Sequence, residues 1–520
     1  MIDRTLALLR QRPDLAELAA FPFDFDINRA YHGEDVHLAS GASLEPVAGD
    51  DTGGTYFVCA DGAVLYASSE GEAGLIGESV TEALEIIIGG GGLHRMEIGP
   101  CLDEKQLLAE IREEEDEMRA SYAPDLDARR AALLDGLGLP RRSPVELAFR
   151  LDAVARRTDP DHVLLNSMEL MAYQYLDERA RVPLPDAALA PGRADLQRMR
   201  NGGPAAWEDA GSDPARRAGV LRAAQFDRRA HDLPLLRHLL EREAAGRTGH
   251  FRERRLAAVL VGLHGHAEDL PLVRAACDHL PPSSASELAE WARQEDAADF
   301  GQDPAAEDEF TWIALARRQG RTEFVRAVLI RMLDDTGPKA ERLAALSREL
   351  ELIGDHAQAA RAHHNFASLQ GTAWDRAAAC SKLAELHRLA GDLPSARRAL
   401  ERVRSAIGLD APAARPQDRQ LALDLGSAAE GPAPDTSAAE WHRRGLGRRI
   451  TEQHLELVLA AIEAGRPELA EETMAHGKVL LKTIAKESRR SLSELSSRAK
   501  WAVAALRTGR SGVDPAQSSK

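Results

Sequence analysis

Few stretches of this 520-residue chain place reactive side chains near enough in sequence to do chemistry together. His264-Gly265-His266 presents two imidazoles, half of a metal site, but no third ligand follows at a matching interval. A loop between helices accounts for the pair. His363-His364 lies in a helical pattern, where adjacent positions do not share a face, so one ion cannot reach both. Asp50-Asp51 precedes a glycine turn; two carboxylates there could hold a cation or move a proton, or bond to loop backbone and solvent. Ser68-Ser69 has no histidine nearby and no GxSxG elbow. The glycine run at 89–92 is not followed by Gly-Lys-Ser/Thr, so it stops a helix instead of cradling a phosphate. Cys59, Cys101, Cys277 and Cys380 form no CxxC pair, and neither a disulfide framework nor a zinc knuckle is expected. Cys59 and Cys277 fall in apolar runs and read as buried small hydrophobes. No catalytic residue, cofactor or metal is expected, and an unrecognised hydrolase is only the third of three functional readings.

The elements around these residues are mostly helical. Aromatics are 4% and charged residues 29%, a mix suited to small-residue helix packing in a protein of more than one domain. One block near the N-terminus departs from this. Thr55 to Cys59 and Val64 to Ala67 are β-branched and aromatic, and Asp61-Gly62 between them suits a tight hairpin with φ > 0. Gly53-Gly54 frees the start of the first strand, Ser68 to Gly74 reads as a polar loop, and Leu75-Ile76 adds a short strand. Ser79-Val80-Thr81-Glu82 is a capping box that opens a helix ending at Gly89. Residues 1–100 are thus expected to form a small α+β domain.

Residues 101–182 read as a helical extension, with Leu107, Leu108, Ile111 and Met118 in a stripe beneath the acidic run Glu113 to Glu117. A second cap stands at Ser143-Pro144-Val145-Glu146. The Pro-, Gly- and Ala-rich stretch 183–214 reads as a linker. Residues 215–507 read as an all-α repeat array interrupted at 409–438, and 508–520 as a disordered tail. Asp232-Leu233-Pro234-Leu235-Leu236-Arg237 recurs 37 positions on as Asp269-Leu270-Pro271-Leu272-Val273-Arg274, with the aspartate expected to cap a helix. Gly354 and Ala359, Gly391 and Ala396, and Gly465 and Ala470 share one spacing, and Gly320 precedes Val325 in the same way. This pattern resembles tetratricopeptide (TPR) repeats over about 307–405 and 450–485, whose small residues let paired helices approach closely; 216–300 could equally be HEAT-like. The expected fold class is an α+β N-terminal domain followed by a TPR/HEAT-like solenoid.

The α+β block also resembles the SMI1/KNR4 (SUKH) superfamily. Asp50, Asp51, Gly53, Gly54, Tyr56, Tyr66, Ser79 and Leu84 occupy matching positions, and "GLIGESVTEALEII" stands where that family passes from strands into a helix. The resemblance implies a binding module, many bacterial members being immunity proteins that neutralise toxins. The net charge of −17 argues against a general grip on nucleic acid and suits a basic protein partner. The last helix carries Lys478, Lys482, Lys486, Arg489, Arg490, Arg498 and Lys500, a solvated face or a seat for an acidic partner. No apolar run spans a membrane and no signal peptide is evident, so a cytoplasmic protein is expected. The leading reading is a bacterial immunity or antitoxin-type protein that contacts its toxin through Asp50, Asp51, Glu70 and Glu72. The second is a TPR-type adaptor or regulatory scaffold.

Overall fold

A computed structural model describes residues 3–90, 104–176, 181–246, 251–277, 284–407, 441, 443 and 445–508. The interruption at 409–438, the tail beyond 508, Cys101 and Gly91-Gly92 lie outside the described residues. The chain forms two compact units: residues 1–33, 40–163 and 174–325, and residues 34–39, 164–173 and 326–520. Among the described residues no helix is long and apolar enough to cross a membrane.

Among the described residues the strands are β1 (Val36–Leu38), β2 (Leu44–Gly49), β3 (Thr55–Cys59), β4 (Val64–Ala67), β5 (Glu72–Gly77), β6 (Leu164–Asn166) and β7 (Gln174–Tyr175). In the first unit β2-β3-β4-β5-β7 make one sheet, antiparallel except for the β5–β7 edge. Tyr56 pairs with Tyr66 across β3 and β4, and Phe25 packs on Tyr56 with ring centroids 5.0 Å apart. Gly62 has φ 92° in the β3–β4 turn, as its Asp-Gly sequence requires. Ser79 Oγ accepts from the Glu82 N–H at 3.2 Å and starts the Val80–Gly89 helix. The sheet does not finish by residue 100. The Pro144–Ala155 helix packs on β5, and β7 extends the same edge, so the α+β body draws on chain as far as Tyr175.

The expected linker at 183–214 is instead the Leu184–Ser212 helix, packed against the Pro214–Phe226 helix. Three features reconcile its composition with helical structure. Gly203 (φ 63°, ψ −157°) makes a kink, and Pro204 then begins the second segment, where its missing N–H is no loss. Pro191 cannot donate to the Ala187 carbonyl, and the Arg321 guanidinium supplies that donor at 2.8 Å. Gly192 lies against Gly219 so closely that a Cβ on it would stand 2.2 Å from the Gly219 carbonyl oxygen.

Asp232 and Asp269 make no side-chain cap bond, contrary to expectation. Each is buried and held by an arginine 32 residues earlier: Arg200 Nε reaches Asp232 at 3.0 Å, and Arg237 Nε reaches Asp269 at 2.6 Å. Arg237 belongs to the first copy of the repeat and Asp269 to the second, so one copy binds the next. Arg217–Glu243 and Arg222–Glu307 are further buried pairs in this unit.

In the second unit β1 pairs with β6, and the Leu170 carbonyl accepts from Gln358 Nε2 at 2.6 Å and Arg361 Nη1 at 3.2 Å. The helices Ala340–Leu352, His356–Ser368, Ala373–Leu389 and Leu393–Ala406 each pack on the next. Leu446–Glu463 pairs with Pro467–Thr483 in the same way. The repeat-spaced glycines act differently from expectation. Gly354, Gly391 and Gly465 have φ of 80°, 81° and 66°, and an added Cβ would meet open space. Left-handed backbone at the helix end therefore demands them, not close helix approach. The Asp355 N–H closes that turn on the Leu350 carbonyl at 3.0 Å. The alanines five residues on, Ala359, Ala396 and Ala470, are buried.

Gly192→Ala is expected to lower stability by about 3 kcal/mol in urea denaturation, because backbone must separate to admit the methyl group. Gly219→Ala is the control: its nearest new contacts are 3.4 Å, so it should be close to neutral. Equal costs for the two would contradict the account of this crossing.

Candidate functional site

The two ends of the first unit's sheet carry different chemistry. At one end the β2–β3 loop (50–54) and the β4–β5 loop (68–71) lie side by side, Gly53 facing the Ser69 Cβ. Asp50 is the centre of this end and is 2% exposed, which removes it from the set of partner-contacting residues. Its Oδ1 accepts from Gly54 N at 2.7 Å and from Thr52 N and Oγ1 at 2.9 Å. Its Oδ2 accepts from the Tyr66 hydroxyl at 2.6 Å. A Cβ at position 54 would stand 2.4 Å from Asp50 Oδ2, so Gly54 makes room for the carboxylate. Burial pushes the Asp50 pKa up, but the bonds from Tyr66, Thr52 and Gly54 outweigh it and hold the group below the usual aspartate range.

The other three expected contact residues stay at the surface of this end. Asp51 and Glu70 are exposed, and Glu72 is half-buried at the start of β5 instead of in a loop. None of the three has an ion-pair partner among the described residues. In the acidic run Glu115 is held by Arg119 at 2.8 Å and Arg130 at 2.5 Å, and Asp116 by Arg119 at 2.8 Å, while Glu113, Glu114 and Glu117 also lack an ion pair among the described residues.

At the opposite end, beside the Asp61-Gly62 turn, the structure assembles a constellation that spacing could not reveal. Cys59 ends β3, Asp61 stands in the turn, and His162 arrives from the Thr158–Val163 segment after the Pro144–Ala155 helix. That segment is tied down by Thr158 Oγ1, which accepts from Leu75 N at 3.0 Å, and by Ser40 Oγ, which donates to the Asp161 carbonyl at 2.7 Å. His162 Nε2 lies 3.2 Å from Asp61 Oδ2, although the residues are 101 apart in sequence. One ligand atom from each of the three residues falls within 4.8 Å of the other two. Cys59 and His162 are buried, while Asp61 opens to solvent. Burial, then the Asp61 charge, push the Cys59 thiol up to about 12. At neutral pH it is therefore a protonated thiol and no ready nucleophile, which separates this trio from a cysteine-hydrolase arrangement.

The remaining histidine motifs do not assemble. His363 is buried in its helix, bonded to Ser347 Oγ at 3.3 Å, while His364 faces outward. Burial lowers the pKa of His363 to about 4. His264 lines a recess with Arg228, Arg229 and Asp232, but Arg228 is taken by Asp296 at 2.7 Å and Arg229 by Asp227 at 3.1 Å. Cys277 is half-buried, less enclosed than its apolar run implied. No protein-family model matches the sequence, and no match to it is found among curated proteins or solved structures.

Tyr66→Phe leaves the Asp50 Oδ2 without its donor and should cost about 1.5–3 kcal/mol. Asp50 binds its proton more readily unfolded than folded, so its contribution is present above the unfolded value of about 3.9 and is lost as pH falls through the lower folded value. The wild-type protein should therefore lose more stability than Tyr66→Phe between pH 5 and pH 2, measured by urea denaturation. Parallel acid profiles would contradict the assigned role.

Proposed function

We propose that this chain is a protein-binding module that restrains a basic partner protein, acting as a bacterial, cytoplasmic immunity or antitoxin-type protein. The observation that carries the reading is the contrast at the loop end of the first unit's sheet. Asp50 is buried as an anchor, while Asp51, Glu70 and Glu72 beside it stand without a cation among the described residues. In a chain rich in arginine–carboxylate pairs, three unpaired acids on a fixed loop pair offer a seat for the cations of another protein. The net charge of −17 favours encounter with such a partner. The resemblance of this block to the SUKH superfamily supports the same role.

A second reading, a TPR-type adaptor, has its own observation. Leu352 and Leu389 are 53% and 42% exposed, and each sits two residues before a turn glycine, Gly354 or Gly391. Apolar side chains at equivalent repeat positions suit a docked peptide or helix along a solenoid.

The two readings separate in one capture experiment with full-length protein from native lysate. The immunity reading expects a basic protein retained by the wild type, released at roughly 1 M salt, and lost with Asp51→Lys/Glu70→Lys/Glu72→Lys. Retention unaffected by that charge reversal but abolished by Leu352→Glu/Leu389→Glu would overturn it in favour of the adaptor.

A further inference from the structure

We propose that Cys59, Asp61 and His162 form a binding site for a divalent transition ion of the zinc class, which clamps the β3–β4 turn to the segment that follows the Pro144–Ala155 helix. The donor set is one sulfur, one carboxylate oxygen and one imidazole nitrogen, the three ligand types that zinc accepts. Hard cations such as Mg2+ and Ca2+ prefer all-oxygen shells, so the sulfur selects against them. The geometry is close to what the ion requires. Two bonds of about 2.0–2.1 Å at a tetrahedral angle set their ligand atoms about 3.3 Å apart, and Asp61 Oδ2 lies 3.2 Å from His162 Nε2. The Cys59 sulfur lies within 4.8 Å of a ligand atom of each of the other two residues, and bonds of about 2.3 and 2.1 Å at a tetrahedral angle require about 3.6 Å, so the hairpin end must close by as much as about 1 Å.

The surroundings suit this use. Cys59 and His162 are 4% and 7% exposed, so two ligands are held in a dry wall. His162 presents Nε2 to Asp61, while its other ring nitrogen, Nδ1, is buried without a partner and takes no part in the proposed ligation. The Asp61 side chain is 47% exposed, giving the ion a path in and leaving the fourth position to a water molecule. Binding places the metal on the Cys59 sulfur and releases the thiol proton to solvent; no oxidant or reductant is involved. The residues joined are 101 apart, so the ion would fasten two distant parts of the first unit.

The experiment uses full-length protein stripped with a chelator and titrated with Co2+ as an optical probe and Zn2+ as a competitor. The expected result is one equivalent of Co2+ with a sulfur-to-cobalt charge-transfer band and strong tetrahedral d–d absorption, both displaced by Zn2+. Cys59→Ser should abolish the charge-transfer band, and His162→Gln should weaken affinity at least tenfold. Zn2+, but not Mg2+, should raise the melting temperature of the wild type and leave Cys59→Ser unmoved. Circular dichroism of the metal-free variants reports whether they fold. Should Cys59→Ser fold poorly, Asp61→Asn, altered at a surface turn, provides the same test through weakened Co2+ affinity. A charge-transfer band that survives in Cys59→Ser, or a wild type that takes up no Co2+, would overturn the proposal.

Discussion

A carboxylate taken out of water must be met by a cation or by several hydrogen-bond donors, and much of the first unit is arranged around that requirement. Leaving such a group unpaired costs several kcal/mol, enough to decide whether a helix sits in one place or another. Asp232 and Asp269 are almost fully enclosed, and each is met by an arginine from an earlier helix, Arg200 or Arg237. The three positions Arg200, Arg237 and Arg274 are separated by the same 37 residues as the Asp232 and Asp269 copies. The sequence repeat is therefore the trace of a charge contact handed from one helical hairpin to the next. Leucine burial supplies the bulk of the driving force, as in the cluster of Leu236, Leu239, Leu240, Leu256 and Leu260, but it is not directional. The ion pairs fix the register that burial leaves open.

The same constraint divides the acids at the sheet's loop end. Asp50 is neutralised by donors, not by a cation: two backbone N–H groups, a threonine hydroxyl and Tyr66 converge on it. Those bonds tie the 50–54 loop together and leave Asp51 exposed. At the other end, Asp61 is half in water and His162 is not, so one edge of that trio is fixed while the other remains open.

Locally determined features were legible in the sequence. The strand pair, the Asp61-Gly62 turn and the serine caps at Ser79 and Ser143 depend on neighbours within a few residues and form as expected, although the return bonds of the capping boxes do not, Glu82 accepting from Glu78 N and Glu146 from Arg142 instead. Features that depend on distant partners were not. Asp50 and Asp51 are the same residue type, and sequence does not show that the donors Thr52, Gly54 and Tyr66 converge on the first of them. The 183–214 stretch has the composition of a loop, yet it is helical, and the donor that Pro191 lacks comes from Arg321, 134 residues beyond Ala187. The turn glycines stand at the expected positions, but a left-handed backbone requires them and close packing does not, a difference that spacing cannot show. His162 gave no signal at all, because its partners Cys59 and Asp61 come from a hairpin more than a hundred residues earlier.

The most direct test of this account is a double-mutant cycle on Arg200 and Asp232, read by urea denaturation. Arg200→Met strands a buried carboxylate and should cost about 3–5 kcal/mol. Asp232→Asn added to it should restore much of that loss, giving a coupling energy of about 2 kcal/mol or more. If instead the two losses add to within about 0.5 kcal/mol, the pair does not hold the hairpins in register, and hydrophobic packing alone must explain the 37-residue repeat.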